Sequence, residues 1–255
     1  MICKLTDPMR AAPLFSGWDE TMILSCLQGV MGAVYADDPV DPRAAMAILD
    51  DFAFFAGTPD ADLVVWKPES HKKDFILMVP QTPAWGDLIR ETYGERCILL
   101  SRYAIRKEPE VFDRTYLASL VDACPPGFAL RPIDEQIFLQ SRETAWMRDW
   151  TSAYADYDEY RRLGFGIVLV KGDEIIAGAS AYSRYREGIE IQIDTYEPYR
   201  RRGFALICGA KLILDCLDRG LYPSWDAANL GSVALAEKLG YHFDREYVAY
   251  GIQNY

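Results

Sequence analysis

Residues 188–205, GIEIQIDTYEPYRRRGFA, constrain the fold more than any other stretch of this chain. Ile189, Ile191 and Ile193 alternate with Glu190, Gln192 and Asp194, the period-two pattern of a strand with one apolar and one polar face. The chain then turns through Tyr199-Arg200-Arg201-Arg202-Gly203-Phe204-Ala205, and the residues that follow read as a helix burying Leu206, Ile207, Ala210, Ile213, Leu214 and Leu217, stopped at Gly220. A strand, a basic glycine turn and a helix start bring backbone N–H groups and the positive end of a helix dipole to one point. Such a point binds anions, and a phosphate is the ligand it suits.

The rest of the composition narrows the setting. Half of the 255 residues are apolar, enough for a sizeable core and for two domains of ordinary size. Lys and Arg number 27 against 38 Asp and Glu, and a net charge of -11 disfavours nucleic acid or an anionic membrane as the main partner. An acidic surface suits a cationic small molecule, although a simple solvated surface is its ordinary reading. Against that background the Arg triplet stands out. The six cysteines form no CxxC and no metal-ligand spacing, so they read as reduced core thiols with no metal expected. No basic-then-apolar leader and no apolar run of membrane-spanning length occurs, which predicts a cytoplasmic protein; a monomer or homodimer is expected.

Taken in order, the pattern predicts a helix over 19–31 capped by Asp19, then strands in AMAILDDFAFFAG, DLVVW and DFILMVP. A short helix over 85–93, a strand over 97–105 and a helix over 110–123 follow. Cys124-Pro125-Pro126-Gly127 breaks the pattern, and the domain boundary is expected there, giving 1–125 and 126–255. The second part predicts a strand at 128–132, a polar helical region over 134–160, and strands at GFGIVLV, IIAGASAYSRY and the stretch described above. After the long helix come a short strand at 223–226, a helix over 232–239 and a last strand at 243–250. The fold class is α/β (α+β): a mixed sheet covered by helices, preceded by a smaller α/β domain of similar outline. That outline is compatible with a degenerate internal duplication, although no self-similarity in residues accompanies it.

The C-terminal half resembles the GCN5-related N-acetyltransferase (GNAT) superfamily. Its acetyl-CoA motif, Arg/Gln-x-x-Gly-x-Gly/Ala at a strand-to-helix turn, is matched by Arg200-x-x-Gly203-x-Ala205. A second feature, a later strand with Asn and a helix ending in Lys-Leu-Gly, is matched by Asn229, Ser232 and Glu237-Lys238-Leu239-Gly240-Tyr241. The fuller wording, with Thr195 and Pro223-Ser224-Trp225-Asp226-Ala227-Ala228-Asn229, resembles the bacterial branch that includes zwittermicin-A-resistance-type acetyltransferases. The resemblance implies a mostly antiparallel central sheet and coenzyme A bound by Arg200, Arg201, Arg202, Gly203, Phe204 and Ala205. It also implies a pantetheine arm along the backbone of Ile193 and Thr195, with Asn229 and Ser232 on the far side. The partners implied are acetyl-CoA and a small amine acceptor.

Direct attack of an amine on a thioester needs two aligned substrates, a route for the amine proton and a proton for the thiolate. Glu190 and Asp194, on the polar side of the strand, are the candidate bases. The superfamily often places a tyrosine four residues before the final helix's glycine, where this chain has Ala236, so water or another tyrosine such as Tyr241 or Tyr199 becomes the candidate acid. That departure keeps a non-catalytic acyl-CoA sensor open beside a small-molecule enzyme, and an acidic cleft that would accept a lysine or N-terminal amine keeps a protein N-acetyltransferase open. His71 and His242 lack partner spacing and read as structural or exposed. Trp146, Trp150, Tyr154, Tyr157 and Tyr160 cluster with Asp149, Asp156, Asp158 and Glu159; such a lining suits a cationic amine, and a solvated acidic helix face reads equally well.

Overall fold

A computed structural model describes residues 1–255. In chain order the elements are β1 (Cys3–Lys4), α1 (Thr21–Leu27), β2 (Ala33–Ala36), β3 (Ala44–Leu49), β4 (Phe52–Gly57), α2 (Ala61–Val65), β5 (Phe75–Pro80), α3 (Pro83–Tyr93) and β6 (Cys97–Ile105). They continue with α4 (Arg114–Asp122), β7 (Ala129–Pro132), α5 (Glu135–Glu143), α6 (Tyr157–Leu163), β8 (Gly166–Lys171), β9 (Glu174–Tyr185) and β10 (Gly188–Thr195). The chain closes with α7 (Phe204–Asp218), β11 (Tyr222–Ser224), β12 (Asp226–Ala227), α8 (Leu230–Lys238) and β13 (Phe243–Gln253).

The chain forms two compact units, Met1–Arg102 with Glu246–Tyr255, and Tyr103–Arg245. This division differs from a boundary at 125/126. The proline-glycine break is a turn inside the second unit, because α4 before it packs on α7 after it. Leu117 shares the core of α7, and Arg114 donates to Asp218 Oδ1 at 2.7 Å. The last strand, conversely, returns to the first unit, where Tyr250–Gln253 pair antiparallel with Met78–Phe75 of β5.

In the first unit the strand order is β1-β2-β3-β4-β5-β13-β6, with β1–β2, β2–β3, β3–β4 and β5–β13 antiparallel and β4–β5 parallel. Its core includes Met46, Phe55, Ile76, Met78, Trp85 and Ile89, with α3 laid over the sheet. The sequence pattern DLVVW does not form the expected strand. Asp60 accepts hydrogen bonds from the N–H groups of Asp62 and Leu63 at 2.8 and 3.1 Å, and that cap starts helix α2 in spite of the β-prone residues that follow. Helix α1 likewise starts at Thr21 with Glu20, not Asp19, at its N-cap.

The second unit holds a five-stranded sheet ordered β11-β10-β9-β8-β7, with only β10–β11 parallel. Its apolar side carries Ile189, Ile191, Ala177 and Ala179, which pack against Phe204, Ile207 and Ile213 of α7. The polar region after Pro132 divides into α5, a 3-10 turn at Arg148–Trp150, and α6. Asp134 and Asp156 each cap the helix they precede, which is why one predicted stretch becomes several short pieces. These pieces cover the polar side of β9 and β10 and position the site.

Candidate active site

Strands β10 and β11 run together only from Gly188 to Glu190, opposite Tyr222 to Ser224. Beyond Ser224 the chain departs, and Asp226 and Ala227 pair instead with Ala104 and Tyr103 of β6. The departure is pinned by Glu190, a buried carboxylate whose Oε1 accepts from Asp226 N–H at 2.6 Å. From Ile191 onward β10 keeps only its β9 partner, leaving the other edge open. Tyr196 N–H donates across to Ile176 O on the β9 side at 2.9 Å. Alternation along the strand therefore turns the N–H and C=O groups of Ile193 and Thr195 to the open edge. One of these groups has a partner, since Arg200 Nε donates to Thr195 O at 3.3 Å.

The edge leads directly into the basic turn. Arg201 and Gly203 adopt left-handed backbone angles, φ 65° and 83°, and Gly203 is the N-cap of α7 with no side chain to satisfy the first helical N–H groups. A Cβ at Gly203 would meet nothing within 4 Å, so the space in front of the helix start is open. The glycine adopts this backbone angle without strain and leaves the space in front of the helix start clear. Arg200, Arg201, Arg202 and Gly203 are exposed, while Phe204 is buried against Phe128 and Ala205 is half-buried. Arg202 lies over the Tyr199 ring at 5.2 Å. Asn229 caps α8, its Oδ1 accepting from Ser232 N–H at 3.0 Å, and Ser232 Oγ accepts from Trp225 Nε1 at 3.0 Å. These two polar groups order the α8 start, a role that sequence reasoning did not assign to them.

Of the three catalytic candidates, only Glu190 and Asp194 lie on the polar side of β10. Asp194 Oδ2 accepts from Gln192 Nε2 at 2.9 Å and from Trp150 Nε1 at 3.2 Å. Burial pushes its carboxyl up to about 6; the Gln192 bond opposes the shift, the Asp149 charge adds to it, and the Trp150 bond opposes it again. Trp150 is fully buried against Gly178, where a Cβ would come within 2.5 Å of the indole. Trp146 meets Trp150 edge-on at 5.2 Å and stacks with Tyr196 at 5.6 Å.

Other predicted residues take different places. Tyr241 is buried between Phe112 and Trp225, donates to Pro223 O at 2.6 Å, and has its phenol pushed well above the usual range by burial. That makes it a core residue, which corrects the expectation of an acid there. Ala236 is fully buried in the same core. Tyr154 and Tyr160 are also buried, bonded to Ala181 O and Ser180 Oγ, so they act as pillars under the sheet. His71 sits in the first unit on Asp50 O, and His242 is exposed on Glu108. No group of three His, Cys, Asp or Glu is arranged to hold a metal ion, and no helix is long and apolar enough to cross a membrane.

A splayed pair of parallel strands feeding a left-handed glycine turn, a helix N-terminus and exposed arginines can hold an extended, anionic ligand. The family model described as GNAT acetyltransferase matches residues 12–250. The chain belongs to the GNAT acetyltransferase family. It is similar to a GCN5-related N-acetyltransferase-like protein from Streptococcus suis 89/1591, at 43% identity, covering 98% of this chain and 100% of that one with a TM-score of 0.90. It is also similar to the uncharacterized N-acetyltransferase YdfB of Bacillus subtilis (strain 168), 26% identical over 250 residues, 90% of this chain and 89% of that protein. A tandem GNAT protein from the clavulanic acid biosynthesis pathway shares the fold, with a TM-score of 0.58 and 11% identity over 100% of this chain and 98% of that one. As a GNAT enzyme, the chain is an acetyltransferase whose family uses acetyl-CoA.

Proposed function

We propose that this GNAT enzyme transfers the acetyl group of acetyl-CoA to a primary amine of a small molecule by direct attack. The observation that carries the reading is the open edge of β10 from Ile191 to Thr195, which a 3-10 turn at Glu197–Tyr199 joins to the basic turn at Arg200–Gly203. Five residues separate Glu190 from Thr195, a span of ~17 Å at strand geometry, which suits an extended pantetheine arm. The N–H groups of Arg201–Ala205 and the three guanidinium groups would hold the pyrophosphate and ribose phosphate, and the backbone of Ile193 and Thr195 the arm. Asn229 and Ser232 would stand on its far side. When bound, acetyl-CoA supplies an activated acyl group and a thiolate leaving group.

Glu190, at the vertex of the splay, is the base we assign, acting on the amine proton through water. Asp194 lies nearer the turn and spends its carboxylate on Trp150 and Gln192, so it anchors the acceptor side. The aromatic surface of Trp146 and Tyr196 beside Asp149 and Asp194 favours a cationic acceptor. An aminopolyol is the acceptor suggested by the zwittermicin-type wording of residues 223–229. The first unit is the counterpart of a degenerate GNAT half, a reading supported by the fold likeness over the whole chain to a tandem GNAT protein.

Calorimetric titration with acetyl-CoA tests the donor, and no binding at millimolar ligand removes the proposal. Thiol release over a panel of polyamines, aminoglycosides and amino acids tests the acceptor. Ala236 and the buried Tyr241 favour one alternative, a sensor that binds acyl-CoA without turnover. Tight binding with no thiol release across the panel would select it. Glu190→Gln should remove the acidic limb of the pH–rate profile and lower kcat by roughly a hundredfold or more, with acetyl-CoA affinity little changed. An unaltered profile takes Glu190 out of the role.

A further inference from the structure

The vertex of the splay holds an arrangement that only strand register reveals. Glu190 on β10 is opposite Ser183 on β9 and opposite Ser224 on β11, so the three side chains share the polar face in one cross-strand row. Ser183 and Ser224 are 0% and 1% exposed, and neither hydroxyl has a hydrogen-bond partner within the protein. Two buried hydroxyls without partners on either side of a buried carboxylate are costly unless something polar lies between them. A water molecule needs two to four polar partners in a polar, buried space, and this row supplies three.

The neighbouring phenols do not take that role. Tyr241 OH donates to Pro223 O, and Tyr222 OH accepts from Glu108 N–H and donates to Arg106 O. The nearby Asp226 gives its N–H to Glu190 itself.

We propose that Ser183 and Ser224 hold a water molecule against Glu190, and that this water carries the proton between the acceptor amine, Glu190 and the leaving sulfur. The inference rests on the reading of Glu190 as the base. For an amine arriving neutral, the nitrogen lone pair forms the N–C bond and the C–S bond breaks with its electron pair on sulfur. One N–H proton passes through the water to Glu190. The same proton returns through the water to the sulfur, giving the free thiol and the neutral amide. One relay thus serves both directions and accounts for an enzyme with Ala236 where a tyrosine acid would stand.

The test is a set of variants, Ser183→Ala, Ser224→Ala and the double substitution, compared with Glu190→Gln. Each single variant should lower kcat by about tenfold, and the double by more, each single loss being smaller than the roughly hundredfold expected from removing the base itself. KM for acetyl-CoA and for the amine should stay unchanged, the solvent deuterium isotope effect on kcat should change, and Tm should hold or fall. A rise in Tm in both single variants would mean that the hydroxyls are dry and strained, and it overturns the water. If Glu190→Gln flattens the pH–rate profile while the double serine variant turns over like wild type, the relay fails and the base reading stands. If Glu190→Gln leaves the profile unaltered, the base reading fails and takes the relay with it.

Discussion

At the scale of single residues, the same type of side chain on one strand is put to opposite uses by its surroundings. Burial pushes the Asp194 carboxyl from its ordinary value of 3.8 up to about 6 in the fold. Between those values the folded state binds more protons than the unfolded, so the stability associated with this group is fullest below pH 4 and is lost as pH rises through 6. Asp194→Asn should match wild type near pH 3 and exceed it at pH 7 by on the order of 3 kcal/mol, read from denaturant unfolding at several pH values. A gap that does not change with pH would mean that the buried charge is not its cause. Gly203 presents the other case. With φ at 83° and open space beside it, Gly203→Ala should cost about 1 kcal/mol of backbone strain and leave acetyl-CoA binding within a few-fold. Gly203→Trp should keep the fold and abolish binding, because the indole fills the space in front of the helix start. Calorimetry separates the two, and unchanged affinity in the Trp variant shows that the turn is not the anion site.

At the scale of elements, the site depends on how β11 meets and then leaves β10. The contact is tight at its beginning, where a Cβ on Gly188 would fall 2.2 Å from Tyr222 O. Gly188→Ala therefore has to push backbone against backbone, and overpacking of this kind costs about 1–3 kcal/mol. The expected result is a lower Tm and a lower kcat together, since the shift displaces Ser224 and the Asp226 N–H that Glu190 accepts. A loss of stability with kcat intact would separate the β10–β11 contact from catalysis. Much of this was legible in the sequence: the alternation of Ile189–Thr195, the basic turn and the α7 stripe lie where the pattern places them. The α2 segment was not, because a two-bond cap at Asp60 outweighs the strand preference of Val64 and Val65.

At the scale of the whole molecule, the two units and the chain's path through them were the hardest to foresee. Tyr255 closes the first unit: its N–H donates to Asp74 O, its hydroxyl donates to Trp66 O at 2.7 Å, and its ring lies against His71 and Tyr93. Tyr255→Ala should lower stability by about 2 kcal/mol while leaving acetyl-CoA affinity unchanged, checked by thermal unfolding and calorimetry. An undiminished Tm would mean that these contacts are equally satisfied by water. All six cysteines are free thiols; Cys26, Cys208 and Cys216 are core residues, with burial pushing Cys26 up to about 12 and the other two higher, whereas Cys3, Cys97 and Cys124, also expected in the core, are only half-buried.

The sequence by itself determined the local devices: which face of β10 is apolar, where the chain needs glycine before α7, and which cations flank that glycine. Those follow from periodicity and backbone sterics, which act over a few neighbouring residues. Only the tertiary structure decided what stands beside Glu190, because register between β9, β10 and β11 brings together residues far apart in the chain. It also decided that Tyr241 is a core phenol. A tyrosine near a motif reads as a candidate acid until packing assigns its hydroxyl to the carbonyl of Pro223.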